Sequence, residues 1–145
     1  MVQLNNASIT QLPRYLRSPS STHAFGAVEK PVAYLAMQNK SLAYPVSLDG
    51  LPIAGGIEDI ATNAPEVTSR LEEQLENDNR LLGIMLTHAA QAIDLRKGNN
   101  GDLALSESTT RLHQIIRQHV GELSEDRILS TDFDRMYNLI KQLRF

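Results

Sequence analysis

The sequence predicts an all-α protein, and three observations carry that prediction. Apolar residues recur at helical spacing in four separate stretches. Strand signals are nearly missing, because the one β-like run, LAYPVSL, is short and interrupted by Pro45. Finally, the chain has three Phe, four Tyr and no Trp, so its core must be mostly aliphatic and its helices slim. Slim helices with Ala and Leu faces pack as long-helix bundles, within a chain or between chains.

Residues 1–20 read as irregular. Asn5, Asn6, Pro13, Ser18, Pro19 and Ser20 favour turns, with Leu12, Tyr15 and Leu16 left to dock on a core. Ser21 or Thr22 then caps a helix from about His23 to Ser41, with Val28, Val32, Leu35 and Ala36 on one face. Pro31 lies inside that pattern and predicts a bend or break near Ala27. Asn63-Ala64-Pro65-Glu66 is a helix start, since Pro65 falls where no amide donor is needed. The helix it opens runs from Ala64 to about Lys97. In its first half Val67, Leu71 and Leu75 form a thin stripe among charges. Its second half, LLGIMLTHAAQAI, is apolar nearly all round and predicts burial on every side. Ser106 or Ser108 starts a third helix through about Val120, burying Leu112, Ile115, Ile116 and Val120. Ser130 or Thr131 caps a last one, with Phe133, Met136, Leu139, Ile140 and Leu143 inside. The length of 145 residues suits one helical domain, 1–145.

Composition narrows the functional classes. A net charge of −3 with scattered Lys and Arg gives no basic face for nucleic acid or an anionic membrane. Having no cysteine removes disulfides, thiolate metal sites and thiol catalysis from this chain. No apolar run approaches the roughly twenty residues that cross a bilayer. The N-terminus also lacks the pattern of a secretory signal. A cytoplasmic protein is expected.

Chemistry concentrates in Ser41–Asn63, a proline- and glycine-containing loop of roughly twenty residues, a length more often functional than idle. Glu58 and Asp59 end it, just before the long helix. A carboxylate flanked by apolar Ile57 and Ile60 suits proton transfer; the plainer reading is negative charge placed near the positive end of a helix. Tyr15, Tyr34 and Tyr44 are candidate site phenols, although amphipathic packing is the commoner use of Tyr. His113 and His119 are six positions apart and do not share a helix face, which argues against a metal pair. His88 reads as a hydrogen-bonded core residue and His23 as exposed.

Three runs and the ending carry a resemblance: LPRYL at Leu12–Leu16, QNKSLAYPVSLDGLPIAGGIED at Gln38–Asp59, LLGIMLTHAAQAIDLR at Leu81–Arg96, and RLHQIIRQHVGELSEDRILSTDF at Arg111–Phe133. In order and spacing they resemble the aromatic amino acid ammonia-lyases, the histidine, phenylalanine and tyrosine lyases and aminomutases. The resemblance implies the C-terminal third of such an enzyme, a tetrameric long-helix bundle and active sites shared between subunits. It also implies a methylidene-imidazolone electrophile formed from an Ala-Ser-Gly triplet. That triplet is not in this sequence, so the group and its triplet are expected on a partner N-terminal lyase chain. By resemblance Glu58 takes the glutamate place that faces an aromatic amino acid substrate, and Asp59 the acid after it. Ile57 stands where the family has Gln, Ile60 where His commonly follows, and Tyr44 where many members have His before Pro. Tyr44, Ile57 and Asp59 are therefore the implied substrate-binding positions. Asn39 and Lys40 match the family's Asn-Lys pair, and Asp49 its loop aspartate. The replacements point to an altered substrate, aminomutase chemistry or a decayed site. The implied function is the C-terminal chain of a split or truncated lyase, inactive alone. The alternative is a non-catalytic helical assembly protein that keeps the bundle.

Overall fold

A computed structural model of the chain describes residues 3–48, 50, 52–58, 63–101 and 103–143. It contains α1 (Ala7–Thr10), α2 (Glu29–Leu42), α3 (Ala64–Asn100), α4 (Glu107–His119) and α5 (Ser130–Gln142), joined by short 3-10 turns. Among the described residues there is no strand, only one isolated antiparallel bridge between Ile53 and Glu58. None of the helices is long and apolar enough to cross a membrane, again among the described residues. The all-α expectation holds. The chain divides into two compact units, residues 1–32 with 79–145, and residues 33–78. Helices α2 and α3 contribute residues to both.

The first unit holds the apolar core. Ala90 of α3, Ile116 and Val120 at the end of α4, and Met136 of α5 form one buried cluster, with Leu86 and Leu139 against it. Burying such side chains contributes about 1.5–3 kcal/mol each. Gly83 lets α5 come close: a Cβ there would meet Met136 Cβ and the Tyr137 amide nitrogen, each at 3.3 Å. The second half of α3 is buried on most sides rather than all, since Met85 stays exposed while Ile84, Thr87, His88, Ala90, Gln91 and Ala92 are buried. In α4 and α5 the innermost positions are Ile116, Met136 and Ile140. Leu112 and Leu143 reach the surface instead, each lying at the rim of its helix's apolar stripe.

Gln91 is the polar centre of this core and is 1% exposed. Its Nε2 donates to the carbonyls of Leu16 (3.4 Å) and Leu123 (3.2 Å), and its Oε1 accepts the Leu123 amide at 2.9 Å. A run read as apolar nearly all round thus conceals a buried amide with both ends used, as buried polar groups require. The N-terminal segment docks as expected through Leu12 and Leu16. Tyr15 and Leu16 hold left-handed φ values of 58° and 53°, fixed by Tyr15 N–H to Asn5 O and Phe25 N–H to Tyr15 O. The Asp126 carboxylate accepts from the amides of Thr22, His23 and Ala24 at 2.8–3.2 Å. Those amides, Ala24's first, hold the carboxyl below the usual carboxylate value.

Two boundaries differ from the sequence reading. Helix α2 starts at Glu29, after a 3-10 turn over Gly26–Val28, and not at His23. Pro31 consequently sits in the first turn, where no amide is needed, and the 3-10 turn over Gly26–Val28 lies where the break near Ala27 was expected. Ser130 is the first residue of α5 and Leu129 occupies the cap position without a side-chain hydrogen bond. Ser106 does cap α4, its hydroxyl accepting the Thr109 amide at 3.2 Å.

The second unit is built differently. No apolar residue described within 33–78 is buried, and polar bonds tie the end of α2 to the start of α3. Asn39 is their hub. Its Nδ2 donates to Asp78 Oδ1 at 2.6 Å, its Oδ1 accepts from Asn77 Nδ2 at 3.0 Å, and its carbonyl accepts from Gln74 Nε2 at 3.1 Å. Arg70 adds a bond to the Ser41 carbonyl at 2.8 Å.

His88 is 0% exposed, as the sequence suggested for a core residue. Its ring lies 3.9 Å from that of Phe25, and Nδ1 faces the Ile84 carbonyl at 2.8 Å. A carbonyl only accepts, so Nδ1 carries the proton of the neutral ring and Nε2 is left without a protein partner. Burial pushes the imidazole down to about 4, against the raising effect of the Ile84 carbonyl. The unfolded chain takes up this proton near 6.5 and the folded chain only near 4. Stability is therefore full above 6.5 and falls as the pH drops through that window, by about 3 kcal/mol in all. The Asp126 contribution is lost at still lower pH, below the carboxylate's usual value. Urea unfolding at pH 7.0, 5.5 and 4.5 should show this decline, and His88→Gln should flatten it; an equally steep decline in the variant would refute the assignment. In the second unit, Asn39→Ala leaves the 7%-exposed Asn77 amide without its acceptor. A loss of about 1–3 kcal/mol is expected, read as faster hydrogen exchange of amides 39–48 and 67–78 with 79–100 unchanged.

Candidate functional site

The segment that follows α2 turns twice before reaching α3. A 3-10 turn at Val46–Leu48 comes first, then one at Ala54–Gly56. Ala54, Gly55 and Gly56 have φ of 54°, 68° and 86°, and no atom stands within 4 Å of a Cβ placed on either glycine. The glycines are therefore required by backbone conformation and not by lack of space. This reversal brings Glu58 back to Ile53, where the two residues exchange backbone bonds, Ile53 N–H to Glu58 O at 3.2 Å and Glu58 N–H to Ile53 O at 3.4 Å. The loop thus fixes the Glu58 backbone while its side chain remains exposed.

Ile57, next to it, is 88% exposed. Tyr44 is 62% exposed and stands at the head of the loop, just after α2. The far end of the loop is tied to the near end by Asn63, whose Nδ2 donates to the Val46 carbonyl at 2.8 Å. The Asn63 carbonyl accepts the Val67 amide at 2.9 Å, so the start of α3 and the residues beside Tyr44 share one anchor. The expectations for Asp49, Asp59 and Ile60 fall outside the described residues.

Of the residues singled out from the sequence, Glu58, Ile57 and Tyr44 all lie exposed in the second unit, on a segment closed at both ends. Asn39, matched only as half of an Asn-Lys pair, proves to be the hub that holds the end of α2. The sequence reading missed Arg70. Its position at the start of α3, amid scattered charge, carries no signal until the bond to Ser41 O is seen. It lines a groove of about 310 Å³ together with Tyr44.

The other histidines serve structure. His113 Nε2 and Arg117 Nε each lie 2.7 Å from Asp94, binding α4 to α3, and His119 Nδ1 meets the Ile115 carbonyl at 3.1 Å. Such a carboxylate between two basic groups is a clamp in the first unit's packing. His23 is exposed, as expected.

Residues 1–118 match the family model described as aromatic amino acid lyase. Histidine ammonia-lyase from Yersinia enterocolitica is 31% identical over 138 residues, covering 94% of this chain and 26% of that protein. Among solved structures, the ergothioneine-degrading enzyme ergothionase from Treponema denticola superposes with a TM-score of 0.88 at 39% identity, over 97% of this chain and 28% of that one. A tyrosine aminomutase shares the fold, with a TM-score of 0.86 at 22% identity over 97% of this chain and 26% of the other. The chain spans about a quarter of the length of the relatives it matches. On the family match over most of its length, with the same all-α fold in its structural neighbours, this chain belongs to the aromatic amino acid lyase family.

Proposed function

We propose that this chain is one part of a composite aromatic amino acid lyase or aminomutase, and that it brings Glu58 to a site completed by another polypeptide. The observation that carries the reading is the loop itself. A family member presents a carboxylate at a position fixed by reciprocal backbone bonds, beside an 88%-exposed isoleucine. A carboxylate so placed serves for proton transfer to or from the amine of a bound substrate. Tyr44, Ile57 and Asp59 are its proposed neighbours around the substrate. The exposed Val67, Leu71 and Leu75 of α3, in a unit with no buried apolar residue among those described, support the expectation of covering chains. The partner proposed is a lyase N-terminal chain, in a tetrameric core.

The residues present do not fit the family's prosthetic group as its source, because no Ala-Ser-Gly triplet occurs among the 145 residues. The methylidene-imidazolone is therefore assigned to the partner. The substrate class is an aromatic amino acid or its betaine. The 39% identity to a chain that degrades ergothioneine places ergothioneine in the first screen beside histidine, phenylalanine and tyrosine.

The test is reconstitution with a partner chain bearing the triplet. Turnover should fall by about 10²-fold or more in Glu58→Gln, with the assembly unchanged by native mass spectrometry. The isolated chain should release no ammonia from the three amino acids and no trimethylamine from ergothioneine. Unchanged turnover in the variant would remove Glu58 from the reaction, and ammonia release by the pure chain would remove the composite site. A self-assembled complex that neither recruits such a partner nor turns over substrate would leave a helical assembly protein.

A further inference from the structure

Three donors along one face of α3 reach back to the end of α2. Asn77, Gln74 and Arg70 are spaced three and four residues apart, so they stand in a line on the helix. Asn77 bonds the Asn39 side chain at 3.0 Å, Gln74 the Asn39 carbonyl at 3.1 Å, and Arg70 the Ser41 carbonyl at 2.8 Å. Both carbonyls belong to the last turn of α2, where a helix's own donors run out. Asn63 continues the line one residue before α3 begins, and its Nδ2 donates to the Val46 carbonyl at 2.8 Å. Tyr44 stands between two of these ties. The Ser41 carbonyl, held by Arg70, accepts the Tyr44 amide at 3.1 Å, and the carbonyl of Val46, two residues on, is held by Asn63. Pro45 between them has a fixed φ and no amide. One helix therefore holds, from both sides, the backbone of a tyrosine whose side chain is 62% exposed. Packing does not supply that hold, because no apolar residue described within 33–78 is buried.

We propose that Asn63 is a positioning residue: by holding the Val46 carbonyl it sets where Tyr44 stands relative to α3, and so Tyr44's place in the shared site. The part given to Tyr44 in that site rests on the lyase reading above; the tie itself rests on the geometry alone. Asn63 also occupies the position before the first residue of α3, where a side-chain oxygen serves as a helix cap. The two duties are chemically separable. Holding a carbonyl takes an N–H donor, whereas capping takes an acceptor oxygen. An aspartate at position 63 keeps the oxygen and puts negative charge at the positive end of α3, which favours the helix. It also removes the donor and turns a second acceptor toward the Val46 carbonyl, which releases the segment that carries Tyr44.

The experiment follows amide hydrogen exchange by NMR in the 145-residue chain and its Asn63→Asp variant. Exchange at the Tyr44 and Leu48 amides should quicken by about fivefold or more, the factor that one net hydrogen bond is worth. Amides 66–70 and 79–100 should be unchanged. Asn63→Ser, which keeps a capping oxygen on a shorter side chain, should do the same and serves if the aspartate variant fails to fold. Unchanged exchange at Tyr44 and Leu48, or an equal quickening at 66–70, would overturn the proposal. In the complex reconstituted with a triplet-bearing chain, Asn63→Asp should raise KM by about the same fivefold and leave kcat within about twofold. It should add little to the effect of Tyr44→Ala, because the two act through one group. An unchanged KM, a loss confined to kcat, or a full further loss on top of Tyr44→Ala would each overturn the positioning of Tyr44. An unaltered complex without turnover would remove the lyase reading, and the exchange result on the chain alone then decides whether Asn63 holds the segment.

Discussion

Gln91 lies where three stretches of chain meet: the middle of α3, the N-terminal segment at Leu16, and the connection between α4 and α5 at Leu123. Each stretch brings a backbone group that has no water to turn to, and one primary amide satisfies all of them. An apolar side chain of the same size would fill the space and strand the Leu16 carbonyl and both Leu123 groups, at a cost of about 1–3 kcal/mol for each. The surrounding apolar cluster supplies most of the favourable free energy, but it does not choose between alternative ways of docking a flexible N-terminal segment. The amide does, because only one register brings both carbonyls and the amide to its two ends.

The second unit depends on a different balance. With no buried apolar residue among those described, it relies on polar bonds to Asn39, Ser41 and Val46 and on the continuity of α3. Polar bonds on a partly wet surface are each worth about 1 kcal/mol net. They define a local geometry but leave little reserve against opening. A loop mounted on such a unit is inexpensive to reshape, which suits the role proposed above for Glu58 in a site shared with another chain. Regions of low local stability are where binding loops are commonly drawn from.

How much of this was readable from sequence follows the physics of each signal. Helix periodicity and the Asn-Ala-Pro-Glu start placed α3, α4 and α5 closely, since a face repeats many times and errors average out. Boundaries resting on single residues fared worse. Pro31 was read as a bend because its place within a helix depends on where the helix begins, and that was set by a 3-10 turn with no marked composition. Gln91 and Phe25 escaped notice for a related reason: one polar residue in an apolar run, or one aromatic in a turn, shows its role only when its distant partners are known. The candidate loop was legible in part, because Glu58 follows a glycine turn whose positive φ angles can be anticipated. Arg70 was not legible, since its partner is a backbone carbonyl, which no sequence marks.

The Asp126 carboxylate joins residues 102–104 positions apart in the chain. Its three amide partners are synthesised 102–104 residues before the acid that organises them. The turn at Thr22–Ala24 therefore lacks its acceptor until Asp126 has been made. Contacts of such long sequence separation form late, because loop closure must precede any return from them. The N-terminal segment of this chain is thus a latecomer to its own fold: a nascent chain stopped short of Asp126 would carry the α3 surface that Leu16 and Phe25 later cover, open to the cell's quality control.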